Sequence, residues 1–263
     1  MTLTSAAGKN TAEQLPTAGG TEAADRVADV LLLFSRSEGA LGVSEIARTL
    51  ALSKAVVHRI LQSLSSRGLL TTMDASASYV LGPAAIGMGN KAWSQLDFRT
   101  LAAPVLRRLR DDTRETTTLS VLTNHSRVYL DQFESPQEIK MVVDIGASHP
   151  LHSGASSRAI IAFLPEAYIA EAVTALKKTK PDFHEADYKS LLETVRRNGY
   201  ATSFNERKIG AASIAAPFFD RAGNVLGSIS SCGPIFRFET SDTEGHAAKV
   251  VAAAREITNL LAR

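Results

Sequence analysis

The stretch LALSKAVVHRILQSLSSRGLL, Leu50 to Leu70, carries residues of the types that bind nucleic acid. At 100° per residue, Ala55, His58, Arg59 and Gln62 gather on one side of a helix, with Lys54 and Ser65 flanking them. Arginine pairs with guanine, and glutamine with adenine, through two parallel hydrogen bonds. Ser53 and Lys54 near the helix start suit phosphates. Alanine at position 55 lets the backbone come close. The same face also fits a solvated helix on a protein-interaction module, and the residue types alone leave both readings open. Charge placement favours DNA. Residues 21 to 83 hold six Lys/Arg and six Asp/Glu, yet Arg48, Lys54, Arg59 and Arg67 lie in a span, 48 to 67, that contains no acid.

A second chemistry resides in HPLHSGASSRA. Residues Ser153 to Ser157 are all small, and a helix starts near Ser153. A helix start presents unpaired N–H groups and partial positive charge, so a carboxylate is a fitting guest beside Gly154, Ala155 and Ser156. On the residues alone, a plain capped helix packed on a sheet is the favoured reading. His149 and His152 have the spacing of a metal pair, but no cluster of further ligands accompanies them, and His152 is expected to orient the loop. HSGAS lacks the GxSxG spacing of a nucleophile elbow, and no Ser-His-Asp order or phosphate loop stands out. The chain is therefore not expected to be an enzyme, and no cofactor is expected.

These residues need elements to hold them. The stripe Val57, Ile60, Leu61 and Leu64 must bury against earlier helices, for which Ala23 to Ser35 and GVSEIARTL are the candidates, the latter capped by Ser44. Ser53 caps the third helix, and Gly68 stops it. Leu69 to Met73 and Ser78 to Leu81 form two short strands around a polar loop. Three helices and a hairpin outline a winged helix-turn-helix. Pro83 to Phe98 reads as a linking helix, with Pro83 near its first turn. A charged amphipathic helix spans Leu101 to Arg114. From Thr116 the period becomes two: a hairpin turns at Asn124, His125 and Ser126, and a strand spans Ile139 to Ile145. Helices follow from near Ser153, over Glu166 to Lys177 and over Ala186 to Asn198. A hairpin turning at Asp220 to Asn224 and a helix from Ser241 to Leu261 close the chain. The mixture is α+β, built on an antiparallel sheet.

Bulk properties exclude several classes. Net charge is +2, so attraction to nucleic acid must be local. The single cysteine, Cys232, excludes an internal disulfide and agrees with a reducing cytoplasm. No apolar run reaches the roughly 18 to 20 residues that span a bilayer. Residues 1 to 20 lack a signal-peptide core and read as a disordered tail.

The order of features resembles the IclR family of bacterial transcription regulators. One match is LGVSEIARTLALSKAVVHRILQSLSSRGLL with YVLG at Tyr79 to Gly82. Independent matches are PLHSGASSRAIIAFL at Pro150 to Leu164, and AAPFFDRAGNVLGSISSCGP at Ala215 to Pro234, with Arg237 just after. The resemblance covers residues 21 to 263. It implies a winged helix-turn-helix over 21–82, a linker helix over 83–99 and a GAF-like effector-binding domain over 100–263. It implies DNA contacts from Ser44, Ser53, Lys54, Ala55, His58, Arg59 and Gln62, with a wing at Asp74 to Ser78. It implies effector contacts from Gly154, Ala155, Ser156, Ser203, Asn205, Ser213, Ser230 and Cys232. Ser230 and Cys232 share a strand face because they alternate. The implied partners are double-stranded operator DNA, a small organic or aromatic acid, and further copies of the chain. One reading helix covers few base pairs, so a homodimer joined through Ile86, Met88, Trp93 and Leu96, paired into a dimer of dimers, is expected. No membrane partner is expected. Ser157–Arg158 stands where Gly–Lys is usual, and Ser203 and Asn205 stand where acids are common; these departures favour a more anionic or an aromatic acid.

Overall fold

The computed structural model describes residues 20–37, 39–73, 78–94, 97–206, 208–239 and 243–262. The chain divides between residues 95 and 96 into two compact units.

In the first unit the order is α1 (Glu22–Arg36), β1 (Leu41–Gly42), α2 (Val43–Thr49), α3 (Lys54–Ser65), β2 (Leu70–Met73), β3 (Ser78–Leu81) and α4 (Pro83–Ser94). Thr21 caps α1, and Glu22 and Asp25 in its first turn suit the positive end of the helix dipole. The strands form an antiparallel sheet in the order β1-β3-β2. Val30 and Phe34 of α1, Ile46 of α2, and Val57, Leu61 and Leu64 of α3 meet Leu41 and Leu70 in one core. Each such side chain contributes about 1.5–3 kcal/mol on burial. Gly82 follows the hairpin at close quarters: a Cβ there would lie 2.4 Å from the Gly68 carbonyl oxygen, so no other residue fits.

Ser44 does not cap α2. Pairing of Leu41 with Tyr79 and of Gly42 with Ser78 holds the backbone extended through Gly42, so Gly42 takes the cap position and Ser44 falls inside the first turn. The expected tail (apart from Gly20) and the wing tip, residues 74–77, lie outside the described residues.

The second unit runs α5 (Asp97–Thr113), β4 (Thr116–Thr123), β5 (Ser126–Phe133), β6 (Ser148–Pro150), α6 (Ala155–Ile161), α7 (Glu166–Thr179), α8 (Glu185–Asn198), β7 (Ala201–Phe204), β8 (Ala211–Phe219), β9 (Val225–Pro234), α9 (Ile235–Glu239) and α10 (Thr243–Leu261). Six strands pair antiparallel in the order β6-β5-β4-β9-β8-β7. Alternation divides the sheet's faces. Thr117 Oγ1 donates to the Leu106 carbonyl of α5 at 2.9 Å, and Ser231 sits 2.9 Å from the His246 ring nitrogen of α10, so these residues face α5 and α10. Ser228 Oγ donates to the Ser156 carbonyl at 3.2 Å, so Ser228, Ser230 and Cys232 face α6. Behind α6, residues of α7 and α8, among them Ile169, Val173, Leu192 and Val195, complete a buried apolar cluster.

Ile139–Ile145 is not a strand of the sheet. It is an extended strap, held by side chains. Arg237 donates to the Ile139 carbonyl at 2.9 Å, Thr116 Oγ1 to the Met141 carbonyl at 2.6 Å, and the Gln132 amide brackets Val143 with two bonds of 2.8 and 2.9 Å. Apolar alternation gives the same signature for a strap seated on a side-chain surface as for a strand in a ladder. Of the helical pattern from Pro83 to Phe98, α4 reaches Ser94 and α5 starts at Asp97, while residues 95 and 96 lie outside the described residues.

Candidate nucleic-acid interface and ligand cavity

In α3 the sequence's division of faces is realised. Val57, Ile60, Leu61 and Leu64 are buried. Ser53, Lys54, Ala55, His58, Arg59 and Gln62 are exposed. Ser53 is the N-cap, its Oγ accepting from the Val56 N–H at 3.3 Å. Ser65, expected at the flank, is only half-exposed. The helix leaves through Gly68, whose φ of +70° favours glycine. Arg67 turns back, its guanidinium donating to the Ser63 carbonyl and hydroxyl at 2.8 Å each. Arg48, Lys54 and Arg59 remain on the surface, with Ser44 exposed on α2. The arrangement presents bidentate donors, a short cap hydroxyl and two long cations from one side of one rigid helix.

The second unit contains a cavity of about 250 Å³ on the α6 face of its sheet. Seven of the eight expected effector positions line it: Gly154, Ala155, Ser156, Ser203, Ser213, Ser230 and Cys232. Ser213 and Cys232 are register partners on β8 and β9. Ser230 shares a 2.7 Å hydroxyl–hydroxyl bond with Thr118 of β4. Asn205 is not in the lining. Strand β7 ends at Phe204, and Asn205 starts a turn with φ +56°, its Oδ1 accepting the Gly210 N–H at 2.7 Å. It shapes the loop and leaves the wall to Ser203.

Several further residues line the wall that were not expected there: Arg127, Tyr129, His149, Glu206, Lys208 and the strap from Met141 to Asp144. The first two reach the cavity through a β-bulge. Leu119 pairs with Asp131 but Ser120 pairs with Tyr129, so Leu130 is the extra residue. It places Arg127, Tyr129 and Gln132 on one face, which plain alternation forbids. His149 contacts Tyr129 edge-on, with ring centroids 5.1 Å apart. Among the described residues no group of three or more His, Cys, Asp or Glu is placed to hold a metal ion.

Glu206 alters the expected role of α6. Burial pushes its carboxyl up, but hydrogen bonds and charge from Arg158, with the Gly154 N–H, outweigh that and hold it below the ordinary carboxylate range. The Gly154 N–H donates to Glu206 at 3.2 Å. A carboxylate of the protein itself therefore occupies that donor at the start of α6, a seven-residue helix. The positive end of α6 is partly answered from within.

Comparison with known proteins adds the following. A family model for the IclR helix-turn-helix domain matches residues 23–73. One for the bacterial transcriptional regulator IclR C-terminal domain matches residues 90–259. The HTH-type transcriptional regulator BhcR of Paracoccus denitrificans is 31% identical over 244 residues, covering 91% of this chain and 87% of BhcR. The transcriptional repressor IclR of Escherichia coli is 26% identical, covering 92% and 91%. Among solved structures, an IclR homologue from Microbacterium hydrocarbonoxydans complexed with 4-hydroxybenzoate superposes with a TM-score of 0.75 at 22% identity, covering 91% of this chain and 99% of that one.

Proposed function

Because this chain belongs to the IclR family of DNA-binding transcriptional regulators, we propose that it is a cytoplasmic repressor whose operator binding is set by a small organic or aromatic acid. Repression is the activity named for the Escherichia coli relative, and an aromatic acid occupies the Microbacterium homologue. The observation that carries the reading is the pairing, in one chain, of an outward polar face on α3 with a polar-walled cavity in a separate unit. Among the described residues no helix is long and apolar enough to cross a membrane.

Arg59 and Gln62 read base edges, while Ser53 and Lys54 hold phosphates, with Ser44, Ala55 and His58 against the duplex. One such helix covers a few base pairs, so two copies read two half-sites. Ile86 and Met88 of α4, 66% and 63% exposed, are apolar enough to join them. Pairs of dimers follow the same logic of repeated half-sites. The effector shifts the protein between arrangements of its reading heads by the difference in its affinity for them.

The test is selection of bound sequences from a random duplex pool by the full-length protein. An enriched motif with two related half-sites is expected. A pool that stays random after several rounds removes the operator reading, and a single unrepeated half-site removes the dimer.

A further inference from the structure

Arg127 stands first in size among the described side chains that are fully buried, at 1% exposure, and it forms part of the cavity wall. Its guanidinium is fixed from three sides. Nε donates to Ser157 Oγ at 2.9 Å, Nη1 to Ser120 Oγ at 3.1 Å and Nη2 to the Tyr129 hydroxyl at 3.2 Å. Its central carbon lies 4.4 Å from the Tyr129 ring centroid. These partners orient the group, and arginine keeps its charge at any pH the fold survives. Among the described residues, the charged groups of the wall are Arg127 and Lys208 against Asp144 and Glu206. Glu206 is matched by Arg158 behind it. With Arg158 counted, these described residues sum to three cations against two anions, one positive charge. Attraction between charges grows several-fold as water is excluded, so this sign is felt by whatever enters.

The remaining wall is chemically mixed. Met141, Val143 and Ala212 supply apolar surface, and Ser213 and Ser230 supply hydroxyls. We infer that Arg127 is the specificity-determining residue of the cavity, and that the guest is a small organic anion whose carboxylate lies against Arg127 while its hydrocarbon part lies against Met141, Val143 and Ala212. This inference rests on the effector reading above and narrows it to one charge and one anchoring side chain. Ser157, which accepts from Arg127, belongs to α6, so anion binding acts on a group that is already tied to that helix.

The test uses matched probes on the full-length protein at pH 7.5: benzoate against benzamide, 4-hydroxybenzoate against 4-hydroxybenzamide, and pyruvate against pyruvamide. Isothermal titration should find at least one acid bound at least tenfold more tightly than its amide. In Arg127→Met that ratio should collapse towards one. Loss of the arginine also leaves the Ser157, Ser120 and Tyr129 hydroxyls without their donor, and it can impair folding. Arg127→Lys therefore serves as the second variant; it keeps the charge without the fork, and should retain a preference for the acid at reduced affinity. An acid preference that persists in Arg127→Met, amides that bind the unaltered protein as well as acids do, or no acid bound at millimolar concentration each overturns the inference. Ser230→Leu, which fills the cavity, separates the two levels. Acid binding lost there but indifferent to Arg127 defeats only the anchor, whereas acid binding that survives there defeats the cavity as the effector site.

Discussion

Arg158 and Glu206 face each other through two parallel bonds, Nη1 to Oε2 at 2.6 Å and Nη2 to Oε1 at 2.5 Å. Arg158 also donates to the Thr202 carbonyl. Glu206 also takes the Gly154 N–H. One ion pair thus ties α6 to the loop that follows β7. A lysine, as a point charge, cannot make the two-pronged contact. Arg158→Ala should destabilise the protein by about 1–3 kcal/mol, because it removes the charge-assisted hydrogen bonds of a carboxylate that is only partly open to solvent. Arg158→Lys should cost clearly less. Urea unfolding followed by circular dichroism measures both, and an unchanged midpoint in Arg158→Ala would show that the pair contributes nothing net.

Arg59 and Lys54 lie on the same exposed face of α3 but are assigned different work, and DNA binding separates them. Arg59→Ala should lower affinity for the selected operator by about 1–3 kcal/mol and relax base preference at one position of each half-site. Lys54→Gln should weaken all sequences alike and make the dependence on log salt shallower by about one unit. Gel-shift titrations at several fixed salt concentrations read both effects. Arg59→Ala with full affinity and selectivity would take that arginine off the base edges.

The turn between α2 and α3 holds Ala51 at φ +53°, where a Cβ is unfavourable. The conformation is enforced by neighbours: the Leu52 N–H closes back on the Ala47 carbonyl at 2.9 Å, and Ser53 must face the start of α3. Glycine relieves the strain but adds freedom to the unfolded chain. Ala51→Gly should therefore raise stability by about 0.5–1 kcal/mol with operator affinity unchanged. A lower melting temperature would mean that the turn carries no strain.

What could be read in advance followed the range of the interactions. The two faces of α3 were legible because 3.6-residue periodicity is local, and the cap at Ser53 needs only three residues of context. The β8–β9 hairpin was legible for the same reason, with Asp220 and Asn224 announcing its turn. Arg127 was not, because it reaches the cavity through a bulge at Leu130, and nothing local marks a bulge. Ile139–Ile145 read as a strand because alternation reports a two-sided environment without saying what lies on either side. Asn205 is implied in the wall only by the family resemblance, and position in a motif does not show that β7 ends one residue before it. The internal occupant of the start of α6 was hidden because Glu206 lies 52 positions from Gly154.

His246 offers a test of how acid acts on the second unit. Its ring nitrogen lies 2.9 Å from Ser231 Oγ, and the ring stacks on Phe238 with centroids 4.9 Å apart. Burial pushes its imidazole below the usual value, and the positive charge of Lys249 adds to the effect. The unfolded chain takes up this proton near pH 6.5, while the folded chain holds the ring neutral to lower pH. Below about pH 6.5 the unfolded state therefore binds more protons, and stability falls as pH drops towards the folded value. Above that point the contribution is complete and flat. Melting temperatures of the protein and of His246→Gln, taken between pH 7.5 and 5.5, isolate the group: glutamine keeps a hydrogen-bonding end for Ser231 but cannot titrate. The unaltered protein should lose stability more steeply over this interval. Parallel curves would place the acid sensitivity elsewhere, and a steeper curve for His246→Gln would reverse the sign argued here.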